Sequence, residues 1–553
     1  MKRIYLIITV LLLSNITFAQ LSVEGTPKSF THKDISLLLT ATLDVTQPDL
    51  TKTIEEDNSV ESMYKTRRFG VTIPIGVDFF KKADVVEVDN GKLWILKISC
   101  QEAQALVLYS DNFYLPKGGE LYLYNNDHSK VIGAFTSINN HELKTFATEL
   151  VYGDEMTMEY FQPNSVTEKA VIEISKLGYA YRDCAEDYSK SSSEYGSSGS
   201  CNVNVNCSEG DNYRNAQRGV VRIVIVSAYG MGWCSGSLVN NTSRDLSPYL
   251  LSAAHCVEDV TSSSYYSQFV FYFNYESTGC SATTEPTSRT LTGATLKAQA
   301  PSGSDFLLMR LNNTVPETYN AYWNGWNVGT TASTSGVAIH HPSGDIKKIS
   351  TYTSAPVTST YSDFSTGAHW LVQWVSTTNG NGITEGGSSG SPLFNSSSQI
   401  VGTLTGGQSS CSASTSNRND YFGKMSYHWT SNGSTDALRL KPWLDPTSSG
   451  VTQMIGDDYT TLSSLKDIDS EAETLSSIYP NPATNDINIS LTSQTTPINL
   501  TIYDELGRAF ISQTIPANTK EYTISASTLK SGYYIVKFTS NNKTWNNKVV
   551  INK

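Results

Sequence analysis

At 553 residues the chain is too long for one hydrophobic core, and several domains, each large enough to bury its own, are expected. Its formal charge of −12 argues against a nucleic-acid partner. None of its eight cysteines forms a C-x-x-C pair, which argues against a zinc site.

Lys2 and Arg3, the apolar run Ile4 to Leu13 and the small-residue site Thr17-Phe18-Ala19 read as a secretory signal over residues 1–19. That run is short for a membrane span and no second one follows, so an exported soluble protein is expected. Isolated cysteines in an exported chain read as disulfides. From 20 to 195, strand-like runs such as Phe69 to Ile75, Lys92 to Ile98 and Gly119 to Tyr124 predict a β-rich domain. It ends in the aperiodic segment Ser189 to Ser200, an exposed linker. A region without a catalytic set, tethered to one that has it, suggests a propeptide; an ordinary interdomain tether is the alternative. Residues 196–457 carry short strands, among them Gly219 to Val226 and Gln399 to Leu404, broken by Gly, Asn and Ser turns. They predict a β-barrel or sandwich, with a short helix over Ala437 to Leu444. A polar, acidic linker (458–476) precedes alternating strands at Ile487 to Leu491, Ile498 to Tyr503 and Tyr533 to Phe538, which predict a small β-sandwich over 477–553.

Three strings carry chemistry. Leu251-Ser-Ala-Ala-His255-Cys256 sets small residues beside an imidazole and gives its loop a covalent anchor. Ser304-Asp305-Phe306-Leu307-Leu308 puts a carboxylate at the edge of an apolar strand, where it needs a partner such as an imidazole N–H. Gly387-Ser388-Ser389-Gly390-Ser391-Pro392 offers a hydroxyl in a turn where glycines let the N–H groups of Gly387 and Ser389 converge on an oxyanion. Each has a plainer reading: a structural histidine, a turn aspartate, a flexible Ser/Gly loop. Together, in the order His, Asp, Ser, they predict a serine peptidase triad. The last string does not follow the G-x-S-x-G elbow, which weakens an esterase or lipase reading. His340-His341 lacks a nearby acid at ligand spacing, so no metal is expected.

Residues 201–457 resemble the bacterial lysyl endopeptidase family, a branch of the chymotrypsin-like serine peptidases with two β-barrels. The matching stretches include Gly199-Ser-Cys-Asn, Cys207-Ser-Glu-Gly-Asp, Ala254-His-Cys, Ile339-His-His-Pro, Val372-Gln-Trp, Thr384-Glu, Ser409-Ser-Cys, Asn417-Arg-Asn-Asp and Trp443-Leu-Asp-Pro. The resemblance implies a triad of His255, Asp305 and Ser389, and disulfides Cys201 to Cys411, Cys207 to Cys280 and Cys234 to Cys256. Sequence alone leaves 15 pairings open for these six cysteines. Cys100 and Cys184 remain as a pair suggested only by their count. The resemblance also implies a lysine-binding carboxylate at Asp420. Such an acid at the base of a pocket stays uncompensated until a substrate cation enters, so Lys or Arg would be favoured; a turn aspartate is the plainer reading. The acid that trypsins carry six residues before the nucleophile is replaced by Ile383. Tyr361 and Thr405 fall where the family's best-known member has a tryptophan and a histidine near its substrate. Because Tyr195 precedes Gly196, self-cleavage after Lys190 is the more plausible processing event.

The tail resembles the type A sorting domain of the type IX secretion system, through Tyr479-Pro-Asn-Pro-Ala, Leu529-Lys-Ser-Gly-Tyr-Tyr and Lys548-Val-Val-Ile-Asn-Lys553. The combined expectation is a secreted or surface-held, monomeric, cofactor-free endopeptidase acting on protein or peptide substrates and exported through that machinery. A surface adhesin built on a peptidase-like domain is the rival.

Overall fold

The computed structural model describes residues 25–31, 40–59, 66–182, 198–281, 289–460, 476–491, 496–504, 508–540 and 543–553. The expected signal sequence, Cys184, Lys190 and Tyr195-Gly196 lie outside them. The chain forms two compact units, Met1–Gly456 and Asp457–Lys553.

In the first unit, two barrels share one strand order. The first comprises β1 (Val220–Ser227), β2 (Gly230–Leu238), β3 (Tyr249–Ala253), β4 (Val270–Phe273), β5 (Ala294–Gln299) and β6 (Phe306–Leu311). β2 pairs with β1 and β3, β3 with β6, β6 with β5, and β4 with β1. The ring closes because Arg289–Thr292 pairs with β4 and bends through Gly293, at φ +85°, into β5. The second comprises β7 (Gly336–His340), β8 (Lys348–Tyr352), β9 (His369–Gln373), β10 (Pro392–Asn395), β11 (Ile400–Gly407) and β12 (Asn419–Lys424). Its pairs β7 with β8, β7 with β10, β10 with β11, β11 with β12 and β12 with β9 repeat the order of the first. Val375 N–H, just past β9, donates to Thr351 O of β8 at 3.0 Å and nearly closes it. This is the chymotrypsin-like double barrel.

Packing explains the composition of the strands. β1 is buried along its whole length, so it reads as a continuous apolar run. Arg222 interrupts that run and stays buried by stacking on Trp233, Tyr272 and Tyr275 while donating to Gly344 O at 2.7 Å. Leu251, Phe306 and Leu308 from one barrel meet Ile339, Phe394 and Ile400 from the other in one core.

The N-terminal domain is a two-layer β structure. A sheet of six described strands, among them Gly91–Ser99, Glu120–Asn125 and Glu155–Pro163, packs on strands Arg67–Asp78, Ala105–Tyr114 and Val171–Ala180. Leu96, Ile98, Leu121 and Met158 from the first layer and Leu106, Leu108, Ile174 and Leu177 from the second fill the space between. The second layer continues into the first barrel, because Arg67–Asp78 pairs with β2 as well as with Val171–Ala180; among the described residues the shared sheet has 12 strands. A domain expected on a tether is thus part of the same compact unit. The single helix expected over Ala437 to Leu444 is two short turns, Asp436–Leu438 and Lys441–Leu444. Pro442, with no N–H and a fixed φ, fits a first helical turn but not a helix interior.

The second unit is an antiparallel sandwich with three described strands in one sheet and four in the other. Ile487, Ile489, Leu500, Ile502, Val536 and Phe538 alternate inward to make its core. Among the described residues no helix is long and apolar enough to cross a membrane.

Candidate active site

The site is assembled between the barrels. His255 sits in the turn Ala254–Val257 that caps β3, and Asp305 immediately precedes β6, the partner of β3. Pairing of Ala253 with Phe306 therefore sets the two side by side. Asp305 is fully buried and uses both oxygens on one residue. Oδ2 lies 2.7 Å from His255 Nδ1, and Oδ1 accepts the His255 backbone N–H at 2.9 Å. This fixes the ring orientation and places its proton on Nδ1. Burial would lower the imidazole pKa, but the Asp305 charge and hydrogen bond outweigh it and hold the value above the ordinary one. The ring remains 10% exposed, and Nε2 has no hydrogen-bond partner among the described residues.

The nucleophile loop is held by its carbonyls. Gly386 O accepts from Ser343 N at 2.6 Å, Gly387 O from Ser235 Oγ at 2.9 Å and Ser389 O from Ser235 N at 2.8 Å. The N–H groups of Gly387 and Ser389 have no acceptor among the described residues. Gly387, at φ +92°, and Gly390, at φ +80°, make the turn. A Cβ on Gly390 would lie 2.1 Å from Ser252 Oγ and 2.6 Å from Ser235 O. Below the loop, Ser388 Oγ meets buried His340 Nδ1 at 2.8 Å, and His340 Nε2 meets Ser350 Oγ at 3.1 Å. Burial and then Lys348 push the His340 pKa down to about 3, so it is neutral in ordinary buffers.

The disulfide Cys234–Cys256 links β2 to the histidine turn, and Cys256 Sγ lies 3.8 Å from Ser389 O. The Ser389 carbonyl thus lies beside the residue that follows His255, and no hydrogen bond joins Ser389 Oγ to His255 Nε2 in this structure. Cys201–Cys411 and Cys207–Cys280 are also formed, while Cys100 is buried. Ser198 donates its hydroxyl to Asp345, and Gly199 N–H donates to Glu385 Oε1 at 2.9 Å. The end of the expected exposed linker is therefore fastened near the nucleophile loop.

Asp420, on β12, is 1% exposed. Oδ2 accepts from Trp374 Nε1 at 2.5 Å, Ser409 Oγ at 2.6 Å and Thr384 Oγ1 at 2.8 Å, and no cation lies within ion-pair distance among the described residues. Burial raises its pKa, and the hydrogen bonds from Ser409, Trp374 and Thr384 oppose that rise. Trp374, Thr384 and Ser409 were not singled out from sequence, although each lies in a string that carries the family resemblance. Tyr361 stacks on Tyr421 at 4.5 Å between ring centroids, and Thr405 Oγ1 lies 3.1 Å from Nε2 of buried His369. His369, also missed, sits 6.1 Å from the Tyr361 ring and links the two positions. Burial lowers its pKa to about 4. Among the described residues no group of three His, Cys, Asp or Glu side chains is placed to hold a metal.

Residues 195–423 match the family described as lysyl endopeptidase, C-terminal domain, and residues 477–552 match the secretion system C-terminal sorting domain. A lysyl endopeptidase of Pseudomonas aeruginosa is 32% identical over 302 residues, covering 51% of this chain; the chain spans 61% of that relative's length. Among solved structures, the protease Anisep from Arthrobacter nicotinovorans aligns at 16% identity and a TM-score of 0.28, covering 37% of this chain and 90% of that one. The serine endoprotease from Yersinia pestis aligns at 12% and 0.24, covering 62% and 97%. Over 195–423 the chain is thus similar to the lysyl endopeptidase family, and over 477–552 to the secretion-system sorting domains.

Proposed function

We propose that the protein is a secreted serine endopeptidase that cleaves polypeptides after lysine, with arginine as the second substrate residue. His255 Nε2 takes the proton of Ser389 Oγ as the hydroxyl attacks the scissile carbonyl. The imidazolium, stabilised by Asp305, returns that proton to the departing amine, and water then hydrolyses the acyl-enzyme by the same route. The carbonyl oxygen develops its charge against the N–H groups of Gly387 and Ser389, which the anchored loop carbonyls leave without other acceptors. The observation that carries the reading is the buried Asp305–His255 pair, whose open Nε2 lies on a turn covalently tied to the strand that binds Ser389.

Asp420 supplies the specificity. A buried carboxylate that meets only neutral donors retains its charge uncompensated, and a substrate ammonium or guanidinium removes that deficit where a neutral side chain cannot. Tyr361 and Thr405, meeting through His369, shape the neighbouring wall. Residues 20–195 serve as a propeptide, and the sorting domain directs the chain to the cell surface or medium through the type IX secretion machinery. Peptide digestion with every cut mapped by mass spectrometry, alongside Ser389→Ala and Asp420→Ala, tests the whole reading. Cuts confined to lysine and arginine, absent in the first variant and scattered or lost in the second, are expected. Cuts elsewhere in the parent would remove Asp420 from the pocket, and no cuts would favour the adhesin.

A further inference from the structure

The strand Arg67–Asp78 meets the first barrel next to the candidate site. β3 pairs only with Ser237 and Leu238 of β2, which leaves the lower edge of β2 open, and the N-terminal domain fills it: Arg67 pairs with Trp233, Arg68 with Gly232 and Gly70 with Met231. One residue earlier, Thr66 Oγ1 donates to Cys256 O at 3.2 Å, with His255 O at 3.4 Å. The Arg67 methylenes lie so close to Gly386 that a Cβ there would be 2.8 Å from Arg67 Cδ. Residues 66 and 67 therefore bridge the histidine turn and the nucleophile loop.

Direction matters as much as position. Along β2 the chain runs from Met231 through Trp233 to Cys234, bonded to the histidine turn, and Ser235, bonded to Ser389. The antiparallel segment runs from Thr66 away from that point, so its N-terminal end is the one at the nucleophile. The part of a substrate that leaves as the amine has this polarity. The residue before Thr66 in the sequence is Lys65, the side chain the proposed pocket takes. The segment is also held extended by its own domain. Arg68 binds Asp57 at 2.9 Å and Glu56 at 3.0 Å, Arg182 Nε donates to Arg68 O at 2.8 Å, and Tyr181 N donates to Phe69 O at 3.0 Å. Phe69 is fully buried, stacked on Trp233 with centroids 4.1 Å apart.

We infer that Thr66–Gly70 is a built-in, substrate-like occupant of the leaving-group side of the cleft, through which the N-terminal domain holds the uncleaved chain inactive. The inference rests on the peptidase reading. A preformed extended strand adds to a sheet edge at little ordering cost, so the tethered domain outcompetes a flexible substrate for the same backbone groups.

The test compares full-length parent and full-length Phe69→Ala in initial-rate hydrolysis of a peptide that extends four residues to each side of one lysine, with Ser389→Ala as the blank. The variant, having lost the stack on Trp233, is expected to act at least tenfold faster before any processing. Equal, Ser389-dependent rates would overturn the inference and leave the peptidase reading intact. No hydrolysis in either, together with no labelling of Ser389 by a phosphonylating probe after the linker is cut, would remove both. Hydrogen exchange on full-length Ser389→Ala decides the matter independently of how Phe69→Ala folds. Slow exchange over Arg68–Gly70 and Met231–Trp233 is expected, and exchange there at the rate of free peptide overturns the docking.

Discussion

Asp305 stands at φ +61°, a left-handed conformation uncommon outside glycine but tolerated by aspartate. The bend aims both carboxylate oxygens at His255, one at the ring and one at the backbone. Asp305→Asn keeps the shape but favours the wrong imidazole tautomer, so kcat is expected to fall by roughly 10⁴-fold with KM little changed, as steady-state kinetics would show. Since the Asp305 charge raises the His255 pKa, the acid limb of kcat/KM should have its midpoint above the ordinary histidine range, with activity lost as pH falls through it. A midpoint at or below that range would contradict the pairing. His255, Asp305 and Ser389 were legible because each lies in a short local string. His369 and Trp374 were not, since what defines them is a neighbour far away in the chain.

The nucleophile loop shows how an element is made by others. Gly390 stands where β2 and β3 approach, so Gly390→Ala must accept both a positive φ and a collision with Ser235 O, a backbone atom. A destabilisation of about 1–3 kcal/mol and a fall in kcat are expected, measurable by chemical denaturation and kinetics. The disulfide Cys234–Cys256 closes a loop of 22 residues, and replacing both cysteines by serine is expected to cost about 3 kcal/mol of stability in the same assay. The glycines were readable from the string itself. The pairing of six cysteines was not readable from spacing, because connectivity depends on which strands become neighbours.

Among the described residues of the first unit, four imidazoles, those of His340, His341, His369 and His428, are buried as neutral groups, and burial holds His341 well below the ordinary value. His340 and His428 have pKa values lowered to about 3 and His369 to about 4, in each case first by burial. The unfolded chain takes up these protons near the ordinary histidine value, the folded one only at the lowered value. Stability is therefore full above the ordinary value and is lost as pH falls toward about 3. Asp345 and Asp420, with pKa values raised by burial, act in the opposite sense within the carboxylate range. Thermal melts between pH 7 and 4 should show a falling Tm, with a shallower slope in His428→Gln; an unchanged slope would contradict the account.

Strand periodicity and the tail motifs gave the β class and the sorting domain away in the sequence, and three short strings pointed to the candidate triad, because each depends on residues close together in the chain. Only the tertiary structure joined the N-terminal domain to the first barrel. Pairing of Arg67–Asp78 with β2 links segments over 150 residues apart through backbone hydrogen bonds, which leave no residue-type signature in either. It also showed Asp420 ringed by Trp374, Thr384 and Ser409, since burial and partners arise only when β9, β12 and their loops come together.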